Sequence, residues 1–145
     1  MGDLSKDIKS TFPSEEVKAM INIKYTASWL ENQSNAILKP FQISVQQYNI
    51  LRILRGAKEQ VTIQTVKDRM IEKSPNTTRL MDKLCAKQLI ERVRCENDRR
   101  VVYVKIAKPG LKILEEIKMD ETVQLMKKLS EDELILLNSL LDRIR

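Results

Sequence analysis

The sequence contains no histidine, and it has only three glycines and two cysteines among 145 residues. The absence of histidine removes the most common general base and the most common metal ligand. Gly2, Gly56 and Gly110 lie too far apart to build a phosphate-binding loop. Cys85 and Cys95 alone cannot hold a zinc ion. The composition therefore disfavours an enzyme and predicts neither a bound metal nor a cofactor.

Long hydrophobic runs are also missing. No apolar stretch approaches the roughly 18 residues that a membrane span needs. The first ten residues, MGDLSKDIKS, carry charges of both signs and lack the apolar segment of a signal peptide. With 42% hydrophobic and 32% charged residues, the chain is predicted to fold as a single domain over residues 1–145. We therefore expect a cytoplasmic protein without a membrane partner.

What the chain does have is a concentration of positive charge. Its formal net charge is +6, and the segment from Lys67 to Lys105 holds eleven basic against six acidic residues, an excess of five. Scattered lysines and arginines indicate only solubility, whereas clustering in about a quarter of the chain indicates a polyanionic partner.

The basic segment has the pattern of a helix followed by a β-hairpin. Ser74 is a suitable N-cap and Pro75 a suitable first helical residue. After Ile90 the apolar residues alternate, which predicts two strands joined by a turn at Asn97-Asp98. Polar and basic residues share one face of the helix, opposite an apolar stripe of Leu80, Met81, Leu84 and Cys85.

Further helices are predicted on both sides of this segment, and residues 1–12 are expected to form a loose or weakly helical arm. Capping residues indicate where the helices begin, and Gly56 is expected to follow the end of one of them. The predictions are a helix over about residues 14–38, one from Ser44, a short one from Thr62 carrying Val66, Met70 and Ile71, one over about 108–128, and one over 131–145.

The first and last of these helices carry more apolar surface than one small domain buries. Two apolar stripes run along residues 14–38, and residues 131–145 are apolar around most of the helix circumference. Both helices therefore need a second packing partner. This pattern predicts a helical dimer interface.

The order of elements, together with one motif, resembles the MarR-type (multiple antibiotic resistance regulator) transcription factors. The resemblance covers roughly residues 14–145. It implies a mainly α fold with a small β-hairpin wing, that is, a winged helix-turn-helix over residues 44–106 with N- and C-terminal dimerisation helices at 14–38 and 108–145. The motif that carries it reads Asp98-x-Arg100-x-x-x-Val104-x-Ile106-x-x-x-Gly110.

The resemblance also implies how such a protein would work. Family members are homodimers whose recognition helix enters the major groove, while the wing arginine, here Arg100, is oriented by Asp98 and reaches a minor groove. Many release DNA when a small aromatic or lipophilic molecule binds. Two positions depart from the family pattern: Ala107 replaces a capping threonine, and Gln88 replaces the glycine that closes the recognition helix.

The candidate DNA-binding residues lie in the predicted recognition helix and the wing. Asn76 and Arg79 are suited to adenine and guanine edges, whereas Thr77 is adjacent to the apolar stripe and is equally suited to packing. Lys83, Lys87 and Arg94 are expected to bind phosphate. The complete predicted set is Ser74, Asn76, Thr77, Thr78, Arg79, Lys83, Arg94, Asp98, Arg99 and Arg100.

The aromatic residues and cysteines each have two interpretations. The aromatic side chains either line a ligand cleft between the dimerisation and DNA-binding parts or simply pack in the core. Cys85 and Cys95 are predicted to face inward as small hydrophobic residues, with a redox role as the less favoured alternative. The predicted ligand-binding residues are Tyr25, Trp29, Phe41 and Tyr48.

These features favour a homodimeric, sequence-specific DNA-binding regulator, a repressor released by a small-molecule effector. Two-fold symmetry predicts a pseudo-palindromic double-stranded operator with half-sites about one helical turn apart. A winged-helix protein–protein adaptor without operator recognition is the alternative, although an adaptor has no need for the clustered positive charge. A small enzyme is the least favoured class.

Overall fold

The computed structural model describes residues 2–73, 75–98 and 100–145, which form eight α-helices and one three-stranded antiparallel sheet. This architecture confirms the predicted mainly α fold with a small wing. The helices are α1 (Leu4–Asp7), α2 (Glu15–Leu38), α3 (Val45–Ala57), α4 (Ile63–Arg69), α5 (Thr77–Ala86), α6 (Lys108–Glu116), α7 (Asp120–Gln124) and α8 (Glu131–Ile144), and the strands are β1 (Val61–Thr62), β2 (Ile90–Arg94) and β3 (Val102–Ile106).

Helix starts follow the predicted caps. The Ser14 hydroxyl accepts a hydrogen bond from the Val17 N–H at the start of α2. Reciprocal capping boxes begin α3 and α8, where Ser44 pairs with Gln47 and Ser130 with Glu133. Each box satisfies two backbone groups that the first helical turn would otherwise leave unpaired.

The end of α3 was predicted two positions too early. Gly56 lies inside the helix, and Lys58 adopts the left-handed conformation that ends it, with φ of 58°. The short helix α4 begins as predicted at the Thr62 cap but ends at Arg69. The prediction that this helix carries Met70 and Ile71 was wrong, because both residues follow its end; Met70 is buried, whereas Ile71 is 90% exposed.

The helix within the basic segment begins later than predicted. Pro75 and Asn76 lie in a turn, and α5 starts at Thr77 with Asn76 at the N-cap position. Pro75 is therefore not the first helical residue, and the predicted cap Ser74 lies outside the described residues. The later start removes two residues, Pro75 and Asn76, from the N-terminal end of the predicted helix.

Gln88 closes α5 in the left-handed conformation, with φ of 58°. The Gln88 N–H donates to the Cys85 carbonyl at 2.9 Å, and the Leu89 N–H donates to the Leu84 carbonyl at 3.0 Å. This pair of bonds is a Schellman motif, which normally uses glycine at the left-handed position. Gln88 therefore takes the left-handed position of the glycine that it replaces, at the steric cost that a β-carbon adds there.

The sheet contains one strand more than the predicted hairpin. Strands β2 and β3 pair antiparallel, and β3 also pairs with the two-residue strand β1 in the order β1-β3-β2. Val104 of β3 is fully buried and lies opposite Val61 on one side and Arg92 on the other. The sheet thereby joins the residues before α4 to the base of the wing.

One hydrophobic core supports the sheet and the helices around it. Its fully buried members come from the end of α2 and from α3, α4, α5 and β3, so the basic helix is anchored by its apolar side. Gly110 in α6 lies against the Leu89 backbone, where a β-carbon would come within 2.2 Å of the carbonyl oxygen. The largest fully buried side chains are Leu38, Ile50, Leu51, Leu54, Val66, Met81, Leu84 and Val104, together with Thr77.

The predicted continuous helix over residues 108–128 is broken. Helix α6 ends at Glu116, and after residues 117–119 the chain continues as α7 and a 3₁₀ turn. Ile117 leaves the helical conformation and is 6% exposed, since its side chain joins the core. The Thr122 hydroxyl donates to the Met119 carbonyl at 2.6 Å and supports the restart. Burial of the Ile117 side chain therefore stabilises the fold more than an unbroken helix would.

The two terminal helices leave apolar residues in solvent. In α2 only Leu38 is buried, and α8 has no buried residue. No helix in the described part of the chain is long and apolar enough to cross a bilayer. The large apolar residues exposed by at least about 40% in these two helices are Met20, Ile23, Tyr25, Trp29, Ile135, Leu136, Leu137, Leu140 and Ile144.

Candidate nucleic-acid interface

Helix α5 presents one polar face to solvent. Thr78, Arg79 and Lys83 are exposed, while Met81 and Leu84 on the other side are fully buried. The 3.6-residue period explains this division, because residues three or four apart share a face. The helix therefore offers one arginine and one lysine to a partner without disturbing the core.

Thr77 does not belong to that exposed set. Its side chain is 1% exposed and lies among the core residues, which favours the packing interpretation over base contact. Asn76 is exposed at the N-cap position, directly before the helix. Of the predicted residues at the helix start, Asn76 and Thr78 are thus presented to solvent and Thr77 is not.

The tip of the wing is organised by Asp98, but through the backbone. The Arg100 N–H donates to the Asp98 carboxylate at 2.9 Å, and the Val101 N–H donates to the Asp98 carbonyl at 3.0 Å. No ion pair involves the Arg100 guanidinium in residues 2–73, 75–98 and 100–145. Asp98 therefore orients the turn that carries Arg100, and not the Arg100 guanidinium as predicted. Arg99 lies outside the described residues.

Two clefts connect the wing to the start of α5. One, of about 340 Å³, lies between Arg100 and the beginning of α4. The other, of about 290 Å³, is lined by Lys67, Lys73 and Pro75. Gln64 lines both clefts. Arg100 and the start of α5 are therefore two sides of one continuous surface.

Most residues that line the two clefts were absent from the predicted set, among them Gln64, two lysines and the acidic Asp68. Gln64, Lys67 and Lys73 line the second cleft. In a helix-turn-helix the first helix crosses the nucleic-acid backbone, and Gln64 is the second residue of that helix, two residues after the Thr62 cap. The position of Gln64 within the motif could have identified it from the sequence.

Two basic residues near this surface are engaged within the protein. The Lys87 ammonium donates to the Gln42 carbonyl, so the structure gives Lys87 an internal partner in place of the predicted phosphate. The Arg92 guanidinium donates to the Asp82 carboxylate of α5. Arg94, at the end of β2, is exposed as predicted for a phosphate contact.

Both cysteines are free thiols and half-buried. Burial raises the pKa of the Cys85 thiol, the nearby Arg92 charge opposes that rise and the Asp82 charge adds to it. A raised pKa leaves little thiolate at neutral pH, and thiolate is the reactive form. The inward-facing interpretation of Cys85 is thus supported over a redox role.

The four predicted ligand-binding aromatic residues are divided between two environments. Tyr25 and Trp29 are each 41% exposed and line a pocket of about 200 Å³ together with Asp7 and Thr26. Phe41 and Tyr48 are half-buried and pack against the core. The structure therefore groups Tyr25 with Trp29 and assigns the other two to packing.

Comparison with known proteins gives one consistent result. A family model described as the transcriptional regulator SarA/Rot matches residues 32–117. The multiple antibiotic resistance protein MarR of Escherichia coli is 30% identical over 114 residues, which cover 76% of this chain and 78% of that protein. Residues 32–117 contain α3, the helix-turn-helix and the wing.

Solved structures share the fold over nearly the whole chain. A mutant MarR from E. coli complexed with operator DNA is 28% identical, covers 99% of both chains and superimposes with a TM-score of 0.72. NadR in complex with 4-hydroxyphenylacetate is 25% identical, covers 93% of this chain and 97% of its own, and has a TM-score of 0.70.

Proposed function

The chain belongs to the MarR-type winged-helix transcriptional regulators, which are not enzymes, and from this premise we propose that it is a homodimeric repressor of an operator with two-fold symmetry. Each copy inserts α5 into the major groove and Arg100 into a flanking minor groove. The continuous surface from the start of α5 through Gln64 to Arg100 is the observation that carries this proposal.

The charges on this surface suit a duplex. Arg79 and Lys83 on α5 lie one helical turn apart, and Arg100 at the wing tip has no internal ion pair in the described part of the chain. Neutralised phosphates release counterions, so affinity should fall steeply with salt concentration. Base preference should come from Asn76, Thr78 and Arg79, because phosphate contacts carry no sequence information.

The exposed apolar residues of α2 and α8 are proposed as the dimer interface. Ile135, Leu136 and Ile144 are between 58% and 69% exposed, and apolar patches of this kind on soluble proteins mark interaction sites. A second copy of the chain supplies an identical apolar surface, as a two-fold interface requires. Analytical ultracentrifugation should give twice the chain mass of 16.9 kDa, and a monomer would contradict the proposal.

An aromatic or lipophilic effector is proposed to bind at Tyr25 and Trp29, because these side chains line a pocket on the helix proposed to form the dimer. Trp29 is the only tryptophan, so its fluorescence reports on that pocket directly. With 4-hydroxyphenylacetate as a first probe, we expect quenching together with weaker DNA binding. Quenching without any effect on DNA would separate ligand binding from regulation.

Binding-site selection from the source genome, followed by fluorescence anisotropy titration, tests DNA recognition. Arg100→Ala should weaken operator binding about tenfold and reduce the magnitude of the salt slope by about one, as expected for one lost charge contact. Lys112→Ala on α6 removes the same charge from a highly exposed side chain outside this surface and should change affinity less than about twofold. Equal affinity for selected and random duplexes would favour the adaptor alternative.

A further inference from the structure

Asp82 is an acidic residue on the face of α5 that is otherwise polar or basic. It follows Thr78 by four residues and Arg79 by three, so all three side chains lie on the same side of the helix. The Asp82 side chain is 53% exposed. A carboxylate here would face the same polyanion as its basic neighbours, and unless it has a specific partner it opposes binding.

Asp82 is held by a residue from the wing. The Arg92 guanidinium donates through Nη2 to Oδ1 of Asp82, and the Arg92 side chain is only 35% exposed. Arg92 lies in the middle of β2 opposite Val104, which is fully buried. The arginine therefore extends from a fixed point of the sheet, and it restricts the rotamer of Asp82.

This contact is not needed to hold α5 against β2. Leu84, Leu89 and Ile90 are buried where helix and strand meet, and the Schellman motif closes the connection between them. Exposed ion pairs add little to stability compared with such packing. The Arg92 contact therefore acts mainly on Asp82: it orients the carboxylate and neutralises part of its charge.

Building on the DNA-binding role proposed above, we propose that Asp82 is a specificity-determining residue that accepts a hydrogen bond from the exocyclic amine of cytosine in the major groove. Arg92 is its positioning residue. A carboxylate only accepts hydrogen bonds, and cytosine N4 is a donor. Guanine presents the acceptors O6 and N7, thymine presents O4, and adenine places the acceptor N7, which repels a carboxylate, beside its N6 donor. The Arg92 bond is to Oδ1, so Oδ2 is the acceptor assigned to the base.

The neighbouring ion pair supplies a matched control. Lys105 and Glu91 lie opposite each other in β3 and β2, with 3.1 Å between the charged atoms. Their side chains are 48% and 55% exposed, so this pair is at least as accessible as the Asp82 pair. Glu91→Gln removes an equivalent negative charge without altering α5.

The experiment is binding-site selection from a randomised duplex library with the wild-type protein, Asp82→Asn, Arg92→Ala, Arg92→Lys and Glu91→Gln. For Asp82→Asn we expect the cytosine preference at one position of each half-site to fall at least fivefold and to move toward adenine, which asparagine favours. Arg92→Ala should keep cytosine but with a weaker preference, Arg92→Lys should restore part of it, and Glu91→Gln should match wild type.

The outcomes distinguish base recognition by Asp82 from a purely structural role, and they distinguish failure of this proposal from failure of the proposed function. If Asp82→Asn changes the affinity for every sequence by the same factor, or changes only the melting temperature, Asp82 does not read a base and the proposal is overturned. If the wild-type protein itself enriches no sequence, operator recognition fails, and the assignment of Asp82 fails with it.

Discussion

Replacement of Gly110 by alanine tests how tightly α6 is seated on the end of the DNA-binding helix. A β-carbon at this position would come within 2.2 Å of the Leu89 carbonyl oxygen and 2.9 Å of Ile106 Cγ1. The first contact is with backbone, which cannot rotate away. That same carbonyl accepts a hydrogen bond from the Ala107 N–H at 3.0 Å, so moving it weakens a second interaction.

The expected loss of stability in Gly110→Ala has two sources, which are overpacking and the weakened hydrogen bond between Ala107 and Leu89. Overpacking in a close-packed interior costs about 1–3 kcal/mol, and a weakened hydrogen bond adds about 1 kcal/mol. We expect Gly110→Ala to lower the free energy of unfolding by about 3 kcal/mol, which for a chain of this size lowers the melting temperature by about 10 °C. Circular dichroism with thermal and urea unfolding, at one fixed protein concentration, measures both quantities.

Gly56→Ala is the matched control. Gly56 lies within α3, and a β-carbon there would meet no atom within 4 Å. Alanine should therefore stabilise the helix by about 0.5–1 kcal/mol. The reasoning is refuted if Gly110→Ala is as stable as the wild type, or if the two substitutions shift stability in the same direction.

Two further substitutions test local features. Gln88→Gly should raise the free energy of unfolding by about 1 kcal/mol in urea titrations, because Gln88 occupies the left-handed conformation that glycine adopts without steric cost; a loss of stability would contradict the Schellman geometry. In Cys95→Ala, alkylation of Cys85 at mildly alkaline pH should be slower in the native than in the urea-unfolded protein, because burial raises the pKa of this thiol. Equal alkylation rates in the native and unfolded protein would contradict this. The buried Cys85 thiol should contribute to stability at low pH, and this contribution should decline as the pH rises through the thiol pKa, since the unfolded state loses the proton first.

Four helix starts were predictable from sequence because capping is local. Ser14, Ser44, Thr62 and Ser130 each accept a hydrogen bond from the backbone three residues later, and no distant residue is needed to recognise that pattern. The division of α5 into apolar and polar faces was predictable for the same reason, including the exposure of Arg79.

The errors came from interactions between residues distant in sequence. Strand β1 has only two residues, and it exists because Val61 and Thr62 pair with β3 some forty residues later. The break after α6 reflects the capture of Ile117 by the core. None of these contacts leaves a local pattern in the chain.

The bond from Asp98 to the Arg100 backbone has a consequence for how the wing meets a duplex. An internal salt bridge at the tip would have to be exchanged for a phosphate or a base edge, and its loss would offset part of the new contact. With the carboxylate bound to the backbone N–H instead, the turn is already formed, and within the described part of the chain the guanidinium has no ion pair to give up. The wing tip is therefore preorganised, since its shape is fixed before association while the full charge of its arginine is kept for the partner.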